Sequence, residues 1–333
     1  MKRRLLQYVR CPACRSILEL PGPIVESNGE VMQGALACRP CGQRYAIDEG
    51  IPRLGPSSEP SDAATSRTAR SFGYLWSRSE IGREPYGARE YHFDRMAAAL
   101  RLEAPHGLIL DAGCGDGIDL ANQAARPDVE VVGVDISTGG TRTSFERTVS
   151  LQNAHVVQAD LGRLPFDAHQ FDLSYSYGVL HHLSSPEAGL AEIVRVVKRG
   201  GRVVVYLYED FAERSFFWRW LLALGNWPRF VTTRLPHALL FRLCQIASPI
   251  VYLAFTLPSK AASAVGLTRI GASFPFRHGT HPFGLSGDLY DRFSAPIERR
   301  YSRRGAVEFL RSAGLGQIVV AFERGWMVSG VKS

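Results

Sequence analysis

The segment Gly107–Gly117, which reads GLILDAGCGDG, joins an apolar run to a turn that contains three alternating glycines. Such glycines permit a sharp turn and a close approach of the backbone to a ligand, and a helix that starts after the turn offers free N–H groups. The spacing differs from the G-x-G-x-x-G pattern that holds a pyrophosphate. Because Asp111 and Asp116 flank the turn and would repel phosphate, the segment favours a cationic, nucleoside-like ligand.

Two more carboxylates each follow an apolar run that is typical of a buried strand. The run VEVVGVD ends at Asp135, 18 residues past Gly117, and the run AHVVQAD ends at Asp160. In a doubly wound fold, the acid after the second strand accepts hydrogen bonds from the ribose hydroxyls. We therefore expect Asp135 to bind the ribose and Asp160 to lie beside an adenine ring.

Four cysteines near the start of the chain form two C-x-x-C pairs that are 23 residues apart: Cys11, Cys14, Cys38 and Cys41. This spacing predicts a tetrahedral four-thiolate zinc ribbon. A segment of about 50 residues has little core, so a metal crosslink supplies stability that packing cannot. With all four positions taken by sulfur, such a zinc is structural. A redox pair or a disulfide module is the alternative.

The elements that must position these residues alternate between helix and strand. The apolar patterns predict a helix at 90–102, a second helix at 306–315 and seven strands: 107–112, 129–135, 154–159, 171–177, 202–208, 317–322 and 326–331. Strands that alternate with helices indicate an α/β fold with an open, mainly parallel sheet that is covered on both faces.

Five motifs in order resemble those of class I S-adenosylmethionine-dependent methyltransferases, in particular the type 11-like group: LDAGCGDG, GVDI, QADL, FDLSYSYGVLHH and VVKRGGRVVV. The resemblance covers roughly residues 90 to 210 and resumes near residue 300. It implies a Rossmann-like seven-stranded sheet whose last inserted strand is antiparallel. It also implies that S-adenosylmethionine is the methyl donor.

The resemblance assigns candidate site residues. The expected cofactor contacts are Asp111, Gly113, Cys114, Gly115, Gly117, Asp135, Ile136, Asp160, Leu161 and Tyr177. His182 follows the fourth strand, where class I enzymes place groups that face the substrate, and an imidazole is suited to proton abstraction near neutral pH. His182 and Tyr177 are therefore the candidate catalytic residues, and Tyr206 and Tyr208 are candidates for the acceptor pocket. The alternative for His182 is a packed ring or a helix cap.

The four cysteines and the segment that follows them, Gln43–Leu54, resemble the small zinc-ribbon proteins that activate tRNA, rRNA and translation-factor methyltransferases. The resemblance implies an activator that is fused to its enzyme. The expected organisation is a zinc ribbon at 1–54, a Pro/Ser-rich linker at 55–70, a cofactor-binding core at 71–210, a helical insert at 211–300 and the last helix and strands at 301–333. The aromatic segment Ser71–Trp76 is expected either to cover the cofactor or to pack on the outer face of the sheet.

The net charge of +7 is concentrated in the last part of the chain, where residues 211–333 hold 16 Lys and Arg against 6 Asp and Glu. Residues 214–287 contain no acid at all, although they include long apolar runs with scattered arginines. The run 235–257 is long enough for a transmembrane helix, but polar residues and a proline interrupt it. An amphipathic lid at a membrane surface is the favoured interpretation. A lid packed wholly on the protein is the alternative.

These features predict a methyltransferase that acts on a hydrophobic or lipid-linked small molecule, such as a quinone, isoprenoid or polyketide-like acceptor. An rRNA or tRNA methyltransferase is the second hypothesis, and a non-catalytic scaffold that binds the cofactor is the third. Nucleic acid is the less favoured partner, because long aliphatic runs suit RNA poorly. The start of the chain does not resemble a signal peptide. We therefore expect a cytoplasmic protein with peripheral contact at the anionic inner face of the membrane.

Overall fold

The computed structural model describes residues 1–55, 63–78 and 91–333. The described residues fall into two compact units. The first comprises the described parts of Met1–Ser77, Tyr91–Ser215 and Ile297–Ser333, and the second comprises Arg78 and Phe216–Pro296. The first unit holds the cysteine pairs and every predicted cofactor contact.

Eleven strands occur in the described residues, and they form two sheets. The strands are β1 (Val25–Ser27), β2 (Glu30–Ala37), β3 (Arg44–Asp48), β4 (Ile51–Pro52), β5 (Gly107–Ala112), β6 (Val129–Asp135), β7 (Ala154–Gln158), β8 (Phe171–Tyr177), β9 (Val197–Leu207), β10 (Leu315–Phe322) and β11 (Trp326–Lys332). The first four strands form a small antiparallel sheet in the cysteine-rich segment. The remaining seven strands form the large sheet.

The large sheet has the order β10-β11-β9-β8-β5-β6-β7. The strands from β9 through β7 run parallel to one another, whereas β11 is antiparallel both to β9 and to β10. The chain adds β6 and β7 on one side of β5 and then adds β8 and β9 on the other side. A doubly wound sheet binds its ligand at such a switch point, which here lies between β5 and β8. The predicted Rossmann-like sheet of seven strands with an antiparallel inserted strand is thereby confirmed.

In its described residues, the first unit contains six α-helices: α1 (Ala63–Trp76), α2 (His92–Leu100), α3 (Ile118–Ala124), α4 (Thr138–Thr148), α5 (Pro186–Val196) and, after the second unit, α12 (Arg303–Ser312). Local sequence sets several of their ends. The Ser137 hydroxyl accepts the Gly140 N–H at the start of α4, and Ser302 caps α12 in the same way. Pro186 begins α5, where its missing N–H has no cost.

The cysteine-rich segment packs directly on the large sheet. Leu5, Val9 and Leu36 are fully buried in one cluster with Leu110 and Val132 of the central strands. Backbone bonds join the two parts, since the Leu54 N–H donates to the Gln158 carbonyl at 2.8 Å. The ribbon and the sheet therefore share one core, so loss of the ribbon would expose apolar surface on the sheet.

Part of the predicted linker 55–70 is helical. Residues 56–62 lie outside the described residues, but α1 begins at Ala63, so the expectation of a linker was wrong for residues 63–70. The Ser and Thr content suggested a linker, yet Ser66, Thr68 and Ser71 are buried. Packing of α1 against α4 overrides the local preference for a loop.

In its described residues, the second unit contains helices and connecting loops but no strand. Its helices are α6 (Phe216–Asn226), α7 (Arg229–Thr232), α8 (His237–Val251), α9 (Leu257–Ala264), α10 (Thr268–Ser273) and α11 (Ser286–Ser294), and a π-helical turn at Tyr252–Thr256 joins α8 to α9. The continuous helix His237–Ala264 has 28 residues. Within the described ranges, it is the one helix whose length and apolar content would suffice to cross a membrane.

Candidate active site and metal centre

The turn after β5 requires glycine at alternating positions. Gly113, Gly115 and Gly117 have φ values of +96°, +49° and +75°, which L-residues with a side chain rarely adopt. A Cβ on Gly113 would also lie 2.3 Å from the Val179 side chain. The N–H groups of Gly113 and Cys114 donate to the Val134 carbonyl at 2.7 and 3.0 Å, which holds the turn against β6.

Asp135 lies at the carboxyl end of β6, beside this turn. Its Oδ2 accepts the Gly115 N–H at 3.1 Å, while its Oδ1 accepts the N–H and the hydroxyl of Ser137 at 2.8 and 2.7 Å. Burial raises the pKa of Asp135, and these hydrogen bonds oppose the rise. A carboxylate has about four lone-pair sites, so Asp135 retains acceptor capacity for a ribose hydroxyl.

A group of buried acids surrounds the glycine turn. Burial raises the pKa of Asp111 well above its ordinary value, and the neighbouring carboxylates of Asp119, Asp135 and Asp116 raise it further. Burial also raises the pKa of Asp116, although Arg147, whose guanidinium lies 3.1 Å from Asp116, lowers it. The excess of buried carboxyls over cations makes the site suited to a positively charged ligand such as a sulfonium.

The remaining predicted contacts lie at the ends of β6 and β7. Ile136 is half-buried, Leu161 is buried, and Gln158 Nε2 donates to the Ile136 carbonyl at 2.9 Å. Asp160 is half-buried, and its Oδ1 accepts the Gly162 N–H at 2.8 Å. The sheet register places these residues at one edge, next to Asp135, as the sequence predicts. Their cofactor contacts remain predictions.

Helix α1 packs over the glycine turn. A Cβ on Gly115 would lie 3.1 Å from the indole ring of Trp76, and the Thr143 hydroxyl donates to the Trp76 carbonyl at 3.0 Å. Helices α1 and α4 meet at two glycines, since a Cβ on Gly139 would lie 2.1 Å from the carbonyl oxygen of Gly73. Residues 71–76 therefore lie over the glycine turn, and their coverage of the cofactor stays a prediction.

Rings from α1, α2, β8, β9 and the segments just after β8 and β9 form a connected group at the carboxyl ends of β8 and β9. We call this group the aromatic cluster, and its members are Phe72, His92, Tyr177, His181, His182, Tyr206 and Tyr208. Tyr177 stacks between His92 and Tyr206, with centroid distances of 4.1 and 4.4 Å. The cluster presents flat apolar surface together with polar ring atoms, which suits an aromatic or planar acceptor.

The two candidate catalytic residues differ in their hydrogen bonds. His182 Nδ1 lies 2.6 Å from the Ile297 carbonyl, which can only accept, so Nδ1 carries the proton and Nε2 is the basic nitrogen of the neutral ring. The Tyr177 hydroxyl instead accepts a hydrogen bond from Arg95, and burial raises the pKa of Tyr177. The structure therefore favours His182 over Tyr177 as a base. Burial lowers the pKa of His181 well below its ordinary value.

The sequence interpretation missed three residues of this site, which are His92, Asp119 and Arg95. His92 Nδ1 donates to Asp119 Oδ2 at 2.7 Å, and Asp119 Oδ1 accepts the Phe93 N–H at 2.9 Å. Arg95 bonds to Tyr177 and lies 3.6 Å from Glu323. The sequence signal for Arg95 was its position between the apolar residues Phe93 and Met96 of the helix predicted at 90–102.

The four ribbon cysteines form a compact cluster. Their sulfur atoms all lie within 4.8 Å of one another, with 3.5 Å between Cys11 and Cys41 and 3.4 Å between Cys14 and Cys38. Tetrahedral Zn–S bonds of about 2.3 Å require sulfur–sulfur distances of about 3.8 Å, so the cluster fits zinc. The Tyr45 hydroxyl lies 3.2 Å from Cys11 Sγ and can donate to a thiolate there.

Comparison with known families agrees with both halves of this geometry. Residues 110–205 match the model of a methyltransferase domain, and residues 2–50 match the model of the Trm112p-like proteins. The chain therefore contains a methyltransferase domain of the class I S-adenosylmethionine-dependent type. A Trm112-like domain with a four-cysteine cluster precedes the methyltransferase domain in the chain.

Relatives of this chain include proteins with different stated roles. An uncharacterized chloroplastic methyltransferase of Arabidopsis thaliana is 26% identical over 236 residues, which cover 65% of each chain. A demethylmenaquinone methyltransferase of Clavibacter sepedonicus is 38% identical over 98 residues, which cover 29% of this chain and 39% of that protein. A solved methyltransferase structure from Thermotoga maritima has a TM-score of 0.46 and 14% identity, with 80% of this chain and 99% of that chain covered. The chain thus spans less than two thirds of these curated relatives.

Proposed function

We propose that this chain transfers a methyl group from S-adenosylmethionine to a hydrophobic small molecule that has a planar or aromatic acceptor group, such as a quinone, isoprenoid or polyketide-like compound. The observation that carries the proposal is the aromatic cluster beside the glycine turn. In support, the order in which the chain adds strands reverses between β5 and β8, and ligands of such folds bind at the carboxyl ends of the strands at that point. The Clavibacter sepedonicus relative is named for a demethylated quinone.

Each part of the site has a role in this proposal. Asp135 accepts the ribose hydroxyls, Asp160 accepts the adenine amine, and the buried acids around Asp111 offset the charge of the sulfonium. Methyl transfer needs the acceptor in line with the sulfonium carbon, so catalysis depends mainly on positioning and exclusion of water. Where the acceptor carries a proton, Nε2 of His182 receives it, and the bond from Nδ1 to the Ile297 carbonyl fixes the tautomer.

The proposed role of the zinc is structural. Four thiolates from Cys11, Cys14, Cys38 and Cys41 leave no open coordination site on the metal, so it would supply crosslinking of the ribbon and no Lewis-acid chemistry. The ribbon shares its core with the methyltransferase sheet. Metal binding therefore stabilises the sheet through that shared core.

The test is a transfer assay with tritiated S-adenosylmethionine and two acceptor pools, a bacterial lipid extract and total RNA from the same cells. We expect label in the lipid pool, and much less label there with the Asp135→Ala variant. An exposed acid on the loop before β6 provides the matched control, Asp128→Asn, which should retain transfer. Label in RNA alone would replace the proposal with the RNA hypothesis, and label in neither pool despite cofactor binding would favour the scaffold hypothesis.

A further inference from the structure

Exposed apolar side chains are concentrated in the second unit. Of the 22 large apolar side chains that are exposed in the described residues, 16 belong to Phe216–Pro296, although this segment holds only 81 residues. Soluble monomers rarely expose large contiguous apolar patches, and such patches mark interaction sites. This concentration of exposed apolar side chains therefore indicates that the second unit has an interaction surface.

The exposed side chains lie in two rows at helical spacing. The first row follows α8 into α9, and its members are 44–67% exposed: Leu239, Leu243, Ile246, Ile250, Leu253 and Leu257. The second row follows α6 into α7, and its members are 51–79% exposed: Phe216, Trp220, Leu224, Trp227, Phe230 and Val231. We call the two rows together the apolar face. Steps of three and four residues keep the first row on one side of the α8–α9 helix, and steps of four keep Phe216, Trp220 and Leu224 on one side of α6.

The opposite side of the α8–α9 helix packs inside its own unit. Leu240, Phe241 and Cys244 are buried there. The hydroxyls of Ser248 and Thr256 donate to carbonyls of the segment before α11, at 2.7 and 2.6 Å. A helix with one side fixed to protein by polar bonds cannot be surrounded by lipid, so only the exposed row is available to a membrane.

The charges of the unit complement an anionic surface. No Asp or Glu occurs between Glu213 and Asp288, whereas eight Lys and Arg occur in that interval. Arg219, Arg242 and Lys260 are exposed on the same helices as the apolar rows. Long basic side chains beside an apolar row can reach lipid headgroups while their stems lie on the hydrocarbon. Exposed tryptophans are also typical of a membrane interface.

We infer that the apolar face binds the surface of an anionic bilayer, with the α8–α9 helix lying in the plane of the interface. A second copy of the chain suits this face poorly, because a symmetric contact would bring equal basic charges together. The inference goes beyond the proposed function and does not depend on methyl transfer. It accounts for the peripheral membrane location expected from the sequence.

The first test measures sedimentation of the full chain with vesicles of phosphatidylcholine, with and without phosphatidylserine. We expect binding to the anionic vesicles that weakens as salt is raised. Each basic residue near such a surface contributes about 1 kcal/mol, so the Arg242→Gln/Lys260→Gln variant should bind roughly thirtyfold more weakly. The matched control Arg303→Gln/Arg304→Gln removes two exposed charges from α12 and should bind like the parent. Equal loss in both variants would overturn the inference.

The second test addresses the apolar row. Ile246→Glu should abolish vesicle binding, whereas Ile17→Glu, at an equally exposed isoleucine of the ribbon (66% against 67% exposed), should not. Circular dichroism must show that both variants are folded like the parent. Protein that stays with the vesicles in alkaline carbonate would indicate a spanning helix, and a dimer in light scattering without vesicle binding would indicate a second copy. Either result would overturn the inference.

Discussion

Replacement of Gly139 by alanine should weaken cofactor binding, because it displaces α1, without weakening helix α4. Alanine favours a helix over glycine by about 1 kcal/mol, so α4 itself should not be weakened. The new Cβ would lie 2.1 Å from the Gly73 carbonyl, however, and backbone atoms cannot give way without a shift of α1. That shift would break the bond from Thr143 to the Trp76 carbonyl and the contact between Trp76 and the glycine turn.

The expected magnitude follows from the two interactions that this shift would break. One hydrogen bond contributes about 1 kcal/mol, and partial exposure of a tryptophan costs about as much again. The docking equilibrium of α1 would therefore shift by about 2 kcal/mol toward the undocked state. Because only the docked fraction binds, cofactor affinity would fall by up to roughly thirtyfold. Calorimetry with S-adenosylmethionine gives the affinity, and trypsin cleavage at Arg67 and Arg70 of α1 reports its docking.

The matched control is Gly225→Ala, also inside a helix, where the new Cβ would meet only the end of the Arg292 side chain, at 3.3 Å. This variant should bind the cofactor like the parent. An unchanged affinity and unchanged cleavage of α1 in Gly139→Ala would refute the reasoning. A fall in affinity without faster cleavage would also contradict it, because the weaker binding would then arise elsewhere than in α1.

Three further predictions concern the metal, the buried acids and the base. The purified protein should hold one zinc per chain, and chelation should lower its melting temperature; a protein with no bound metal and an unchanged melting temperature would contradict the metal site. Burial holds the pKa of Asp111 high, and a bound cation lowers it, so cofactor binding should release protons and tighten as pH rises through this titration; calorimetry in two buffers of different ionisation enthalpy measures the release, and proton uptake would oppose this account. His182→Ala should lower kcat by about 10²-fold or more for an acceptor that loses a proton, whereas the exposed control His106→Ala should not; an unchanged kcat would assign His182 to packing.

The positions of the expected cofactor contacts could be predicted from the sequence because these residues lie at strand ends. The apolar run before the glycines and the spacing to Asp135 follow from local geometry, and the structure confirms a tight turn at residues 113–117 with β6 ending at Asp135. The two cysteine pairs were equally readable, since their spacing alone suggests a metal cluster. Signals of this kind need no knowledge of distant contacts.

The parts that the sequence did not reveal depend on distant contacts. Helix α1 has the composition of a linker, and its packing against Gly139 far along the chain makes it helical. The bond between His92 and Asp119 joins two helices across a separation of 27 residues. Tyr177 was assigned from its place after a strand, but its bond to Arg95 depends on how α2 packs on the sheet. Such pairings appear only when the elements are assembled.

Direct calorimetry of S-adenosylmethionine binding tests the central claim, which is that the turn at 113–117 and the carboxylate of Asp135 hold the cofactor. The account predicts measurable binding by the parent chain and by Asp128→Asn. Loss of the hydrogen bonds to a charged carboxylate, each about 1.5–3 kcal/mol, should weaken binding by Asp135→Ala by roughly a hundredfold or more. No heat from the parent chain, or equal affinity in Asp135→Ala, would contradict it.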